Sequence, residues 1–228
     1  MNKLIHISLL MTLALVVAAC SNAPHKNKAS GPYAGIDVSR HQKDIDWTKV
    51  GCDSCVTFVY IKATEGATIV DPQYGANVAG AHREGIMVGS YHFFSSTSPV
   101  KAQFDNFMRA TRGHKQDLIP MIDVEKQGNF SRSQLIDSVA KLAAMMEQQF
   151  KRKPMIYSTM EFYNSYLAPQ FNTYPLYIGR YSTAKPQLKW GGKYTIWQYT
   201  EHGIITGINK HVDLCTFNDD KSLKDISL

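Results

Sequence analysis

Residues 86–124 read IMVGSYHFFSSTSPVKAQFDNFMRATRGHKQDLIPMIDV. Ile86 to Phe94 is rich in β-branched and aromatic residues, and Leu118 to Val124 is a second β-type run. Between them, Ser98-Pro99 opens a helix that continues to about Thr111. Strand, helix and strand in this order predict two parallel strands joined by a crossover helix.

The same alternation extends in both directions. Upstream, Ala34 to Val38 and Val56 to Lys62 (VTFVYIK) read as strands, and the second ends at Ala63-Thr64-Glu65-Gly66. Asp71-Pro72 offers an N-cap followed by proline, opening a helix to Arg83-Glu84 that Gly85 stops. Downstream, the longest helix starts near Ser131 or Ser133. Its apolar face is Leu135, Val139, Leu142, Met146 and Phe150, at helical spacing. Pro154 to Ser158 is a fifth strand, and Met160 to Leu167 a short helical stretch. The helices then fade. Leu176 to Arg180, Tyr194 to Tyr199 and Val212 to Phe217 read as three more strands, separated by segments such as Lys185-Pro186 and Gly191-Gly192. The predicted fold is α/β: a mostly parallel sheet closed into a compact TIM-like barrel, with helices missing from its last third.

The ends of the chain and its composition set the compartment and the partner class. Lys3, the apolar run Leu4 to Val17 and the closing Val17-Ala18-Ala19-Cys20 have the layout of a signal peptide. The closing residues resemble the bacterial lipobox, in which the cysteine is lipidated. The expected organisation is a signal peptide over 1–19, a lipidated Cys20 with a polar tether through residue 32, and one domain over 33–228. That predicts an exported protein, lipid-anchored to a bacterial membrane and facing the periplasm or the cell exterior. With 44% hydrophobic and 19% charged residues, the chain is not of the disordered class. Its net charge of +6 is spread out, and the densest basic run is only Lys151-Arg152-Lys153. A nucleic-acid binder shows a concentrated basic stripe, so that class is set aside.

Cys52 and Cys55 form a C-x-x-C just before a strand, rather than at the start of a helix after one. No second pair completes a zinc site. In an oxidising compartment the pair predicts a local structural disulfide. Cys215 stands alone and reads as a buried thiol.

In parallel barrels the active site lies at the C-terminal ends of the strands. Asp37 ends the first strand. Asp123 and Glu125 end the fourth, and Asp213 lies in the last. Residues two apart on a strand share a face, so Asp123 and Glu125 can share a pocket while Ile122 and Val124 face the helices. Acids converging on one barrel mouth raise one another's pKa, the condition for one carboxyl to keep its proton near neutral pH. Glycosidic bond cleavage uses such a pair. A divalent metal also favours clustered carboxylates, but no loop with coordinating spacing accompanies these, and no metal or other cofactor is expected. Tyr91, His92, Tyr157, Tyr181, Trp197 and Gln198 occur at or beside the same strand ends. Aromatic rings and amides there suit a carbohydrate groove. His92 reads either as a base or as a hydrogen-bonded wall residue.

These segments carry a family likeness. Gly35-Ile36-Asp37-Val38-Ser39 with Gln42, Phe58 to Gly66 (FVYIKATEG), Gly89-Ser90-Tyr91-His92-Phe93, Asp123-Val124-Glu125, Tyr157-Ser158, Arg180-Tyr181, Trp197-Gln198-Tyr199 and Val212-Asp213-Leu214 occur in an order that resembles the family 25 glycoside hydrolases, the Chalaropsis-type lysozymes. The resemblance implies a (β/α)5(β)3 barrel. It also implies hydrolysis of the β-1,4 bond between N-acetylmuramic acid and N-acetylglucosamine, with peptidoglycan glycan strands as the partner of a monomeric enzyme. By position, Glu125 resembles the family's general acid. Asp123 resembles its partner, either a nucleophile or the group that orients the substrate acetamido. Asp37 and Asp213 resemble the flanking acids, and Tyr91, Tyr157 and Trp197 would line the groove. Cys215 stands where the family often has asparagine. A non-catalytic wall-binding protein and a hydrolase of another amino-sugar polymer are the alternative readings.

Overall fold

The computed structural model describes residues 33–228. The expected signal peptide, Cys20 lipidation and tether lie outside the described residues. Among those described, no helix is long and apolar enough to cross a membrane.

Among the described residues nine strands follow in chain order: β1 (Gly35–Val38), β2 (Phe58–Glu65), β3 (Ile69–Val70), β4 (Met87–Phe93), β5 (Met121–Asp123), β6 (Met155–Thr159), β7 (Leu176–Gly179), β8 (Ile196–Gly203) and β9 (Val212–Phe217). The helices are α1 (Trp47–Gly51), α2 (Tyr74–Arg83), α3 (Val100–Thr111), α4 (Arg132–Phe150), α5 (Met160–Phe162) and α6 (Leu223–Ile226). The sheet order is β1-β9-β8-β7-β6-β5-β4-β2-β3, and β1 also pairs with β2, so eight strands close a barrel and β3 hangs outside as a short hairpin on β2. Pairing is parallel from β1 through β2, β4, β5, β6 and β7 to β8, and β9 closes it antiparallel to β8 and β1. Helices follow the first five barrel strands. Between β7 and β8 there is only a 3₁₀ turn, Lys189–Gly191, so the (β/α)5(β)3 expectation agrees with the fold.

The two faces of each strand serve different cores. Ile36, Val59, Ile61, Val88, Ile122, Val124, Ile156 and Ile178 face outward and pack under Val78, Phe107, Leu135, Val139 and Leu142 of the helices. Phe58, Tyr60, Met121, Met155, Tyr177 and Ile196 face inward and fill the barrel. Gly89 is required there, because a Cβ would overlap the Tyr60 ring. Each fully buried side chain of this size contributes about 2–3 kcal/mol. The C-terminal helix closes the lower end: Leu223 and Ile226 join the interior cluster, and the Ile119 N–H donates to the Ile226 carbonyl at 2.8 Å.

Local chemistry sets the boundaries. Ser131 caps α4: its hydroxyl accepts from the Gln134 N–H at 3.2 Å, and Gln134 Oε1 accepts from the Ser131 N–H at 2.8 Å. Gly85 follows α2 with φ +71, a conformation that glycine adopts without strain. Asp71 does not cap α2, which begins at Tyr74. Its buried carboxylate instead accepts from the Gln73 N–H and, at 2.9 Å, from the Arg40 N–H, tying two loops at the barrel top together. β5 is shorter than the Leu118–Val124 run. Pro120 has no N–H, and Leu118 and Ile119 pair with the C-terminal segment instead.

The Cys52–Cys55 disulfide is not formed, and Cys55 is a free, half-buried thiol. The turn is organised around Asp53 instead, whose carboxylate accepts from the Cys55 N–H at 2.9 Å and from the Tyr33 hydroxyl at 2.5 Å. Cys215 is a buried thiol on the inner face of β9.

Candidate active site

The strand alternation that fills the barrel ends, at the C-terminal rim, in acids. Asp37 of β1 lies opposite Asp213 of β9, and Asp123 of β5 lies between Phe93 of β4 and Tyr157 of β6. Glu125 follows two residues after Asp123. The intervening Val124 is held on both sides: its N–H donates to the Tyr157 carbonyl at 2.9 Å, and its carbonyl accepts from the Ser158 hydroxyl at 2.7 Å. The backbone that carries Glu125 is therefore fixed. Asp37, Asp123, Glu125 and Asp213 line one pocket with about 450 Å³ of empty volume, part of it open to solvent. Tyr91, Tyr157, Tyr181 and Gln198 complete its walls, and Met121 forms its floor.

A hydrogen-bond chain orients these groups. The Tyr157 and Tyr181 hydroxyls donate to Gln198 Oε1 at 2.8 and 3.1 Å. That fixes the amide, so Gln198 Nε2 donates to Asp37 Oδ2 at 3.2 Å. The buried Tyr177 hydroxyl donates to the same oxygen. Asp37 Oδ1 and Asp123 Oδ1 are buried and have no partner. An unpaired buried carboxylate oxygen is costly, and its burial favours the protonated form of the group.

Electrostatics follow from this crowding. Burial, then the charge of Asp213, raises Asp37 to about 8, against the lowering effect of Tyr177 and Gln198. Burial, then Glu201 and Glu125, raises Asp213 to about 7. Burial, then Glu125, pushes Asp123 well above the carboxylate range, and burial raises Glu125 while Lys126 and Lys62 pull it back. The Asp123–Glu125 pair thus retains protons at pH values where isolated carboxylates have none. Among the described residues, no cluster of three or more His, Cys, Asp or Glu side chains is arranged to hold a metal ion.

A stability prediction follows. A folded-state pKa raised above its unfolded value favours the fold at acid pH, and that advantage is lost as pH rises through the folded value. For Asp37 the window runs from about 4 to about 8. Asp37→Asn keeps an oxygen to accept from Tyr177 and Gln198 and removes the buried charge. It is expected to raise the thermal midpoint at pH 8, by about 1–2 kcal/mol of stability, with no gain at pH 3. Differential scanning calorimetry at the two pH values reads the difference. An equal effect at both would rule out a charge-burial origin.

Two expected groove residues are not brought to the pocket. His92 is fully buried on the outer face of β4. Its Nε2 donates to Gln103 Oε1 at 3.1 Å and its Nδ1 accepts from the Thr64 hydroxyl at 2.7 Å, while burial lowers its pKa to about 4. It is a neutral wall residue beneath α3. Trp197 also faces the outer cluster, with its indole N–H donating to the Arg180 carbonyl at 2.8 Å. In both cases the neighbour in sequence, Tyr91 or Gln198, takes the inward face. Glu201 was not expected and lines the pocket. Strict alternation from Gln198 would turn it away. However, Gln198 and Thr200 of β8 sit opposite Cys215 and Leu214, so an extra residue shifts the phase between them.

Known proteins resemble this chain over most of its length. The model of the glycosyl hydrolases family 25 matches residues 36–208. An uncharacterised Escherichia coli K12 protein, YegX, is 36% identical over 83% of this chain and 71% of its own length. The autolytic lysozyme of Clostridium acetobutylicum is 31% identical over 81% of this chain and 56% of its own. Among solved structures, a family 25 glycosyl hydrolase from Bacillus anthracis superposes with a TM-score of 0.75 and 31% identity, covering 87% of this chain and 96% of that one.

Proposed function

Since the chain belongs to glycosyl hydrolases family 25 and is a glycoside hydrolase, we propose that it hydrolyses the β-1,4 bond between N-acetylmuramic acid and N-acetylglucosamine in peptidoglycan, with retention of configuration. The observation that carries this reading is the pair Asp123 and Glu125. Both are raised in pKa, and both sit at one strand end of an open pocket walled by tyrosines and an amide. Lysozymes among the relatives support the substrate class.

Glu125 is the more open of the two acids. It donates its proton to the glycosidic oxygen as the bond to the leaving sugar breaks. Asp123, in the wall of the same pocket, faces the anomeric centre. By one route it attacks the anomeric carbon and water later releases the sugar. By the other it holds the substrate's 2-acetamido group, whose carbonyl oxygen attacks in its place. Both routes place two carboxyls about the scissile bond and retain configuration. The charge of Lys62 lowers the pKa of both Asp123 and Glu125, against the burial that raises them. Asp37, bridged to the tyrosine wall through Gln198, and Asp213 across from it bind sugar hydroxyl or amide donors. Upstream, residues 1–19 direct export, and a lipid on Cys20 holds the monomeric enzyme beside the wall.

Digestion of purified peptidoglycan followed by mass spectrometry tests the reading. The expected products carry muramic acid at their new reducing ends. Retention of the protein on sacculi with no new reducing ends would instead identify a wall-binding protein, and glucosamine at the reducing ends would place the cut at the other bond.

A further inference from the structure

Beside Glu125 the pocket rim changes character. Phe93, the last residue of β4, points inward between Glu65 and Asp123 of the neighbouring strands and is half-exposed. Two ammonium groups approach its ring: Lys62 Nζ lies 4.8 Å and Lys126 Nζ 5.8 Å from the centroid. Lys62 can reach it because β2 carries an extra residue between Lys62 and Thr64. That bulge turns Lys62 and Glu65, three apart, to the same face and lets them pair at 2.7 Å. Lys62 is only 14% exposed and already has a carboxylate. Lys126 is exposed, and among the described residues it has no carboxylate within ion-pair distance. A ring with ammonium groups drawn over it concentrates positive charge at this part of the rim and fits a ligand that carries a negative charge. Neutral sugar rings alone have no use for the second ammonium.

We propose that Lys126 and Lys62, held against the Phe93 ring, form a carboxylate-binding subsite on the Glu125 side of the pocket, which selects glycan strands with acidic substituents. The subsite rests on the reading of the pocket as a peptidoglycan hydrolase and adds the feature by which acidic strands are preferred. The carboxylate belongs either to the lactyl ether of the sugar or to the stem peptide attached through it, and both present the same anion.

Three substrates separate the outcomes: peptide-bearing strands, strands stripped of peptides by an amidase so that the lactyl carboxylate is free, and stripped strands whose carboxyls have been converted to amides. Turnover and equilibrium binding are measured for the wild type and for Lys126→Gln, each at its own pH optimum. The variant is expected to lose about 5-fold in kcat/KM and in affinity on a carboxylate-bearing strand. It is also expected to lose most of the wild type's preference over the amidated strand, and its affinity should depend less on salt. A loss seen on stripped strands assigns the sugar's own carboxylate, and a loss confined to peptide-bearing strands assigns the stem. An equal loss on acidic and amidated strands, or no loss on any, overturns the subsite. Binding that discriminates carboxylates without any cleavage by the wild type would leave the subsite standing and remove the hydrolase reading instead.

Discussion

Glu125→Gln is expected to lower the rate of reducing-end release from purified peptidoglycan by about 10³-fold, within the range that general acids supply. Glutamine keeps the size and shape of the side chain and cannot donate a proton to the leaving oxygen with the acidity the reaction needs. The fold has no reason to suffer, because the Glu125 carboxyl is raised by burial and makes no ion pair among the described residues. Removing it also relieves the repulsion that helps to push Asp123 up. The thermal midpoint at neutral pH should therefore stay level or rise while turnover falls. Turnover within tenfold of the wild type, at unchanged stability, would remove Glu125 from the role of acid.

Asp123→Ala is expected to cost a comparable factor of about 10³ and to separate the two routes. The side chain is buried and lines the pocket, so its loss opens a small cavity on the pocket wall. Added azide can occupy that cavity. If the carboxylate attacks carbon, azide attacks from the same side and gives an α-glycosyl azide. If the substrate's acetamido group attacks, azide yields no such product and the variant stays slow. Mass spectrometry and proton couplings of the product distinguish these outcomes. Activity close to that of the wild type without azide would sink both roles for Asp123.

The strands were legible because the barrel uses each of them twice. A parallel strand buried on both faces must be apolar almost throughout, and runs such as VTFVYIK declare themselves without any partner in view. Where such a run ends in an acid, as at Asp123, the acid stands out against its neighbours. Smaller elements were not legible. The two-residue β3 and the five-residue α1 have too few residues for a period, and α6 exists because Leu223 and Ile226 have a barrel end to close. The C-x-x-C pointed to a disulfide, and the turn around Asp53 left Cys55 as a thiol.

Side-chain direction divides the site in the same way. Tyr91 and His92, or Trp197 and Gln198, are adjacent in sequence and cannot both face one pocket from a regular strand. Their nearness to a strand end is a sequence property, and parity alone turns His92 and Trp197 outward. Parity is itself broken at the bulges of β2 and β8, which bring Lys62 beside Glu65 and Glu201 into the pocket.

The order of apolar runs, the helical periods, and the acids and aromatics at strand ends were thus determined by the sequence alone, because they are local consequences of backbone geometry and burial. Closure of β1 onto β9, the charge states of the four acids, the amide chain from Tyr157 to Asp37 and the two bulges were decided only by tertiary structure. Each depends on which residues from distant segments exclude water from one another, and a linear pattern does not contain that information.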